Sequence, residues 1–187
     1  TVTTATASII SGDATICNGD STDILVSLTG TAPWSVSYSD GGPPQTDLNI
    51  TSSPHTIRVA PSSTTTYTLT AATDDNGPAT LVGDIDAQIT VNSLPTITFT
   101  NNTVGDEICT GNTVIFTAGG GLNYNFHVND VSIQDGGSTT YTTDTLVNND
   151  EIYVVVTGSN GCSDTSSTTT MTIYQPPVAD AGLDITT

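Results

Sequence analysis

The sequence predicts an all-β protein built from tandem Greek-key β-sandwiches. Apolar and polar residues alternate in many short runs, such as 34–38 (WSVSY), 66–70 (TYTLT), 96–100 (TITFT) and 170–173 (TMTI). A period of two places alternate side chains on opposite faces of a strand. Threonine is the most abundant residue, and as a β-branched residue it favours strands. No window shows a convincing helical period, so every element is predicted to be a strand.

Two landmarks recur along the chain and divide it into repeats. The run Ile16-Cys17-Asn18-Gly19 returns as Ile108-Cys109-Thr110-Gly111, and a strand that leads into an Asn-Gly turn at 76–77 returns with its turn at 160–161. Each repeat closes on a strand that runs into proline, at Pro95 and at Pro176-Pro177. A period of about 90 residues indicates tandem domains, because solenoid repeats are shorter.

The predicted boundaries follow from these landmarks. Residues 1–7 are assigned to the end of a preceding repeat, 8–93 and 94–176 to two complete repeats, and 177–187 to the start of a following repeat. About seven short strands with Gly, Pro, Asn and Asp turns fit into each repeat, which favours a Greek-key sandwich.

The charge balance excludes several classes of function. Nineteen acids face one base, Arg58, for a formal net charge of −18. Binding to nucleic acid or to an anionic membrane requires clustered Lys and Arg, so neither partner is expected. Lysine is absent, which removes Schiff-base chemistry and a P-loop. No run is apolar enough for direct membrane insertion. No catalytic constellation can be placed, so the chain is not predicted to be an enzyme.

The repeat resembles the immunoglobulin-like and polycystic-kidney-disease-like (PKD-like) repeats of Bacteroidota cell-surface proteins, of the gliding-motility adhesin type exported by type IX secretion. The resemblance rests on the Ile-Cys-x-Gly opening, the 34–38 strand, the Tyr67 strand, the turn before Cys162, and the joint at 176–182. It implies tandem immunoglobulin-like sandwiches at an extracellular or cell-surface location. It also implies that the partners of each repeat are the neighbouring repeats of the same chain.

The resemblance implies a disulfide between the opening cysteine and the cysteine after the Asn-Gly turn, which are Cys109 and Cys162 in the second repeat. The alternative roles, a thiol nucleophile or a metal ligand, lack a CxxC spacing or a suitable histidine. In the first repeat Gly77-Pro78 stands where the partner of Cys17 would fall. Cys17 is therefore predicted to be unpaired, or to pair outside this sequence.

The densest acidic pairs offer a candidate calcium site. Asp84 and Asp86 lie before the 92–100 joint, and Asp106 and Glu107 lie after it. Carboxylate and carbonyl oxygens are the ligands that Ca²⁺ takes, and an ion there could stiffen the joint. No EF-hand loop is present, and the alternative is a solvated acidic face that keeps the chain soluble. No other cofactor is expected.

Two short motifs and two aromatic pairs complete the candidate sites. Asp20-Ser21-Thr22 and Asp144-Thr145-Leu146 are similar to Bacteroidota O-glycosylation sites, which makes Ser21 and Thr145 candidate attachment points of a glycoprotein. Aromatic pairs could stack on a sugar, but each follows a Gly-rich turn at the same place in its repeat, which favours a role in the core. These pairs are Trp34 with Tyr38, and Tyr124 with Phe126.

The function predicted from these features is a non-catalytic structural stalk repeat of a large secreted bacterial cell-surface adhesin, extending a distal binding tip. Two alternatives stay open. One is a subunit of an extracellular protein fibre in which like chains associate. The other is a spacer or carbohydrate-binding module of a secreted hydrolase.

Overall fold

A computed structural model describes residues 4–177 of the chain. The chain divides into two compact units, unit 1 (Thr1–Ser93) and unit 2 (Leu94–Thr187). The all-β prediction is confirmed, because the described residues form strands and turns without a helix. The predicted start of a following repeat, 177–187, lies outside the described residues from position 178 onward.

Strand alternation in the sequence places one face of each strand in the core. In unit 1 the described strands are β1 (Thr6–Ser11), β2 (Ala14–Cys17), β3 (Thr22–Leu28), β4 (Trp34–Ser39), β5 (Gln45–Ile50), β6 (His55–Val59), β7 (Thr65–Asp74), β8 (Gly77–Pro78), β9 (Thr80–Leu81) and β10 (Asp86–Asn92). They form a four-stranded sheet in the order β6-β3-β1-β9 and a second sheet in the order β2-β10-β7-β4-β5, with β8 paired to β7.

Unit 2 repeats this arrangement. Its described strands are β11 (Thr98–Asn101), β12 (Glu107–Cys109), β13 (Val114–Gly119), β14 (Asn123–Val128), β15 (Val131–Gly136), β16 (Thr140–Thr143), β17 (Glu151–Thr157), β18 (Ser163–Thr165), β19 (Thr169–Thr170) and β20 (Thr172–Tyr174). One sheet has the order β11-β13-β16, and a second has the order β15-β14-β17-β18 with β19 paired to β17. β12 and β20 form a separate two-stranded sheet. The segments β18, β19 and β20 act as one interrupted last strand.

In both units the first strands divide between the two sheets. β1 and β11 pair antiparallel with β3 and β13. The next strands, β2 and β12, pair in parallel with the last strand of their unit, β10 and β20. The first segment therefore closes one sheet and the second segment extends the other, so the chain wraps around a core between two layers.

The two cores differ in composition. Unit 1 packs mainly aliphatic side chains together with Tyr38 and Tyr67, and the partly buried Trp34 lies against them. Unit 2 is built around aromatic rings: Phe116 stacks on Phe99 and on Tyr141, at centroid distances of 5.8 and 6.1 Å. Aromatic pairs at these separations contribute beyond the area that they bury.

The assignment of residues 1–7 to a preceding repeat is wrong for its described part. Ala5 is buried, and Ala7 has no exposed surface. Ala7 lies opposite Leu28 in the antiparallel ladder of β1 and β3, and Thr6 accepts a backbone hydrogen bond from Thr29 N at 2.9 Å. These residues open the first strand of unit 1, because that sheet needs them to complete its ladder.

Candidate functional site

The cysteines are arranged differently from the prediction. Cys109 is exposed and carries a free thiol, whereas Cys17 and Cys162 are each disulfide-bonded. The predicted Cys109–Cys162 bond is therefore wrong, and so is the prediction that Cys17 is unpaired. A disulfide as such is present, and disulfides persist in oxidising compartments such as the cell exterior.

Strand register explains why Cys109 cannot reach Cys162. Cys109 lies opposite Tyr174, at the end of the last strand of unit 2. Cys162 directly precedes Ser163, at the start of that strand, where Ser163 lies opposite Thr157. The eleven residue steps between Ser163 and Tyr174 correspond to roughly 36 Å at the rise of an extended strand. A disulfide needs Cα atoms within about 7 Å of each other.

We expect alkylation of the native, non-reduced protein to modify one cysteine, Cys109. The other two sulfurs are oxidised and therefore do not react with iodoacetamide. Intact-mass spectrometry and peptide mapping measure both the number and the position of the adducts. The variant Cys109→Ser is the matched control and should take no adduct. Labelling of Cys17 or Cys162 without reductant would contradict this arrangement.

The four acids of the predicted calcium site divide between the units. In unit 1, Asp84 and Asp86 line a pocket of about 290 Å³ together with Asp13. Two of these carboxylates already have protein donors: Thr68 Oγ1 donates to Asp86 at 2.5 Å, and Gln88 N donates to Asp13 at 2.8 Å.

In unit 2, Asp106 accepts a hydrogen bond from Asn101 Nδ2 at 2.7 Å, and the neighbouring Glu107 is exposed. Among residues 4–177, no group of three or more His, Cys, Asp or Glu side chains is placed to hold a metal ion. A calcium-bound form stays a prediction. Equal melting temperatures in EGTA and in millimolar calcium would contradict it.

The candidate glycan-bearing hydroxyls have different surroundings. Thr145 is exposed in the loop between β16 and β17, and its hydroxyl lies 3.1 Å from that of Thr143. Ser21 is half-buried, and its hydroxyl accepts a hydrogen bond from Arg58 at 2.5 Å. A glycan on Ser21 would have to displace this contact, so Thr145 is the more accessible of the two.

The aromatic pairs lie on the core-facing sides of their strands. Tyr38, Tyr124 and Phe126 are buried, and Trp34 packs on the unit 1 core while its Nε1 donates to Thr29 O at 3.0 Å. The Tyr124 hydroxyl donates to Gly121 O at 2.8 Å. The three buried rings fill the core and offer no flat face to a sugar, whereas Trp34 is partly buried.

An aromatic contact that sequence reasoning missed lies on the outer face of unit 2. His127 and Tyr153 are directly opposite each other in the β14–β17 ladder and stack at a centroid distance of 4.7 Å. The Tyr153 hydroxyl donates to Asp130 at 3.2 Å. Loss of water contact, and then the Asp130 carboxylate, raise the pKa of Tyr153 above its ordinary value.

The surroundings of Asp74 favour the charged form of its carboxylate. It accepts hydrogen bonds from Thr31 N at 3.0 Å and from Asn76 N at 2.8 Å. The pKa of Asp74 lies below its ordinary value of 3.8, and the hydrogen bond from Thr31 N is the largest cause of this decrease. Since the folded pKa is the lower one, this contribution to stability is present above pH 3.8 and is lost as the pH falls through the folded value.

Each unit has two seams, where an edge strand of one sheet lies beside an edge strand of the other. The contacts that join the two strands differ between these seams. The seam between β5 and β6 is bridged by His55 Nε2 and Asp47, 2.8 Å apart. The matching seam of unit 2 is bridged by Gln134 Nε2, which donates to Thr140 O at 2.8 Å. On the opposite side of unit 1, β9 lies in parallel beside β1. Sequence reasoning missed β8 and β9, although the longer connection between the last two long strands of unit 1 was a visible signal.

The strand order and the two-sheet core of each unit define an immunoglobulin-like β-sandwich. No protein-family model matches the chain, and no curated protein sequence matches it. Among residues 4–177 there is no helix with the length and apolar character needed to cross a membrane.

Several solved structures are similar to this chain. One contains fibronectin(III)-like modules of Clostridium thermocellum CbhA, with 15% identity over 96% of this chain and 100% of that chain, and a TM-score of 0.43. A chimeric titin Z1Z2-Z1Z2 tandem has 18% identity over 90% of this chain and 99% of that chain, with a TM-score of 0.36. The IG1+IG2 structure of DIP-gamma has 9% identity, coverages of 90% and 97%, and a TM-score of 0.37.

Proposed function

We propose that this chain is a non-catalytic stalk segment of a large secreted bacterial cell-surface adhesin, in which tandem repeats extend a distal binding tip. The observation that carries the proposal is the succession of two units with the same strand order, each with its own apolar core. Units that fold around separate cores can be added in series without changing one another, which suits a spacer of variable length.

Charge and oxidation state support the same function. A net charge of −18 disfavours association between like chains through self-repulsion. The disulfide-bonded cysteines fit an extracellular location. Trypsin-like proteases find a single cleavage site, Arg58, which lies within strand β6. A protein exposed outside the cell benefits from such resistance.

Electron microscopy of the native parent polypeptide, with an antibody raised against this chain, tests the proposal. We expect single thin projections from the cell surface, labelled along their length. Ordered filaments labelled at a regular interval would instead support a fibre subunit. A soluble parent protein with a catalytic domain would support the hydrolase spacer. Either of these results would overturn the stalk function.

A further inference from the structure

The two units differ at the outer edge of their first strand, which is β1 in unit 1 and β11 in unit 2. In unit 1 the segment after β7 crosses to the other sheet and forms β9 beside β1. Its backbone makes hydrogen bonds from Thr80 N to Ala5 O at 2.8 Å and from Val82 N to Ala7 O at 3.0 Å. Leu81 packs against the core. Unit 1 therefore fills the edge of its first strand with a strand of its own.

Unit 2 has no such strand among its described residues. β11 is the terminal strand of its sheet, with β13 as its one neighbour. Asn102 N donates to Ile115 O at 3.2 Å, so these two residues form a hydrogen-bonded pair of the β11–β13 ladder. Hydrogen-bonded and non-hydrogen-bonded pairs alternate along an antiparallel ladder, and Phe99, three residues before Asn102, belongs to a non-hydrogen-bonded pair with Ala118. The backbone groups of Phe99 therefore face away from β13. This is the orientation that Ala7 has toward β9 in unit 1.

A groove of about 350 Å³ runs along this edge. Ile97 and Phe99 form one wall, and residues 164–167 of the last strand form the other. Both apolar side chains are half-buried. An extended strand laid in the groove would cover them and would take up the backbone groups of β11, as β9 does for β1. Main-chain pairing of this kind gives affinity, and the side-chain positions give specificity.

The charge of the groove determines which strand it accepts. Asp164 lies opposite Val156 in the β17–β18 ladder, and cross-strand partners share a face of the sheet. Since Val156 is completely buried, the Asp164 side chain points to the core-facing side and into the groove. Thr165 N donates to Asp164 Oδ1 at 2.8 Å, so an uncharged strand would cover a negative charge that has one backbone hydrogen bond and no opposite charge, which is costly. A strand with a basic side chain would pair with it.

The charge also disfavours a second copy of this chain as the occupant. The only base, Arg58, lies on β6 of unit 1, where its guanidinium contacts Ser21 and Asp23. Any other segment of the chain would bring acids or no charge to Asp164. The complementary occupant is therefore a segment of a different polypeptide.

The size of the groove sets a second requirement. Ala7 and Phe99 are the inward residues of equivalent strands, opposite Leu28 and Ala118. In unit 1 the small Ala7 leaves room for Leu81, whereas in unit 2 the Phe99 ring takes part of that space and stacks on Phe116. The residue that faces Phe99 must therefore be small.

We propose that the β11 edge of unit 2 binds an extended peptide segment of a partner protein by strand addition. The segment pairs in parallel with β11, places a small side chain over Phe99, and places a Lys or Arg beside Asp164. This inference goes beyond the stalk function and does not depend on it.

A synthetic fluorescent peptide tests the proposal. Its sequence follows residues 79–82, with alanine in place of the leucine and a lysine at each end. We expect saturable binding that weakens with salt, and NMR shift changes confined to amides of residues 96–101 and 163–167. Asp164→Lys should weaken binding about fivefold, because it replaces an attraction with a repulsion. A peptide with glutamate in place of lysine should bind far more weakly.

Asp144→Lys is the matched control, since it makes the same change of charge at an exposed residue. Asp144 follows Thr143, which lies opposite Val114, at the far end of β13 from the groove. It should bind the peptide nearly as well as the unmodified chain. Equal weakening by both variants would show non-specific attraction and overturn the proposal. Absence of binding at millimolar peptide would also overturn it, as would concentration-dependent shifts of the same amides without peptide, which would identify a second copy as the occupant.

Discussion

Replacing Phe126 with alanine should lower the stability of unit 2 by about 3–5 kcal/mol. The Phe126 side chain is completely buried, and its ring lies 6.4 Å from that of Phe99 and 5.9 Å from that of Tyr141. Truncation removes these contacts and leaves a cavity that the surrounding strands can fill only in part. Since small domains are marginally stable, most of the stability of unit 2 should be lost.

Hydrogen exchange of strand amides measures this effect separately in each unit, and Trp34 emission provides a second probe of unit 1, because Trp34 is the single tryptophan. Leu122→Ala is the matched control. Leu122 is 68% exposed, so its truncation should change stability by less than about 0.5 kcal/mol. A loss below about 1 kcal/mol in Phe126→Ala would mean that the aromatic cluster does not hold unit 2 together.

Replacing Asp150 with alanine should destabilise unit 2 by about 2–3 kcal/mol. Asp150 is 7% exposed. Its carboxylate accepts hydrogen bonds from Asn129 Nδ2 and from Val147 N, each at 2.8 Å. It thereby joins the loop before β17 to the turn between β14 and β15. Removal leaves two part-buried donors without an acceptor, which costs more than the hydrogen bonds themselves contribute.

Urea denaturation followed by hydrogen exchange in unit 2 measures the loss. Asp150→Asn keeps one acceptor oxygen and should lose less stability than Asp150→Ala. Asp144→Ala removes an exposed acid and should leave the transition unchanged. If Asp144→Ala and Asp150→Ala unfold at the same urea concentration, the buried carboxylate has no structural role.

Strand positions could be predicted from the sequence because alternation reports directly which side chains face the core. β17 illustrates this, since Ile152, Val154 and Val156 are completely buried. The shortest strands escaped detection for the same reason. β8 and β9 contain two residues each, too few to show a period, and they exist because their backbones pair with β7 and β1.

The cysteine pairing could not be predicted from the local sequence pattern. Cys17 and Cys109 both end an Ile-Cys pair before a Gly turn, but the resemblance implied a bond to Cys162 for Cys109, and Cys17 was left without a partner in its own repeat. Their strands are indeed equivalent, since each pairs in parallel with the last strand of its unit. Bonding nevertheless differs: Cys109 is free and Cys17 is disulfide-bonded. A disulfide depends on the distance between two Cα atoms, which a repeat in sequence does not encode.

The sequence by itself determined the all-β class, the tandem sandwich architecture, the acidic character and the core positions of the aromatic residues. These properties follow from composition and from a period of two, which act over neighbouring residues. Tertiary structure alone decided which cysteines are bonded, that residues 5–7 belong to unit 1, and that the first-strand edge is covered in unit 1 and open in unit 2. Each of these depends on strand register and on long-range pairing, through which residues far apart in the chain are brought together.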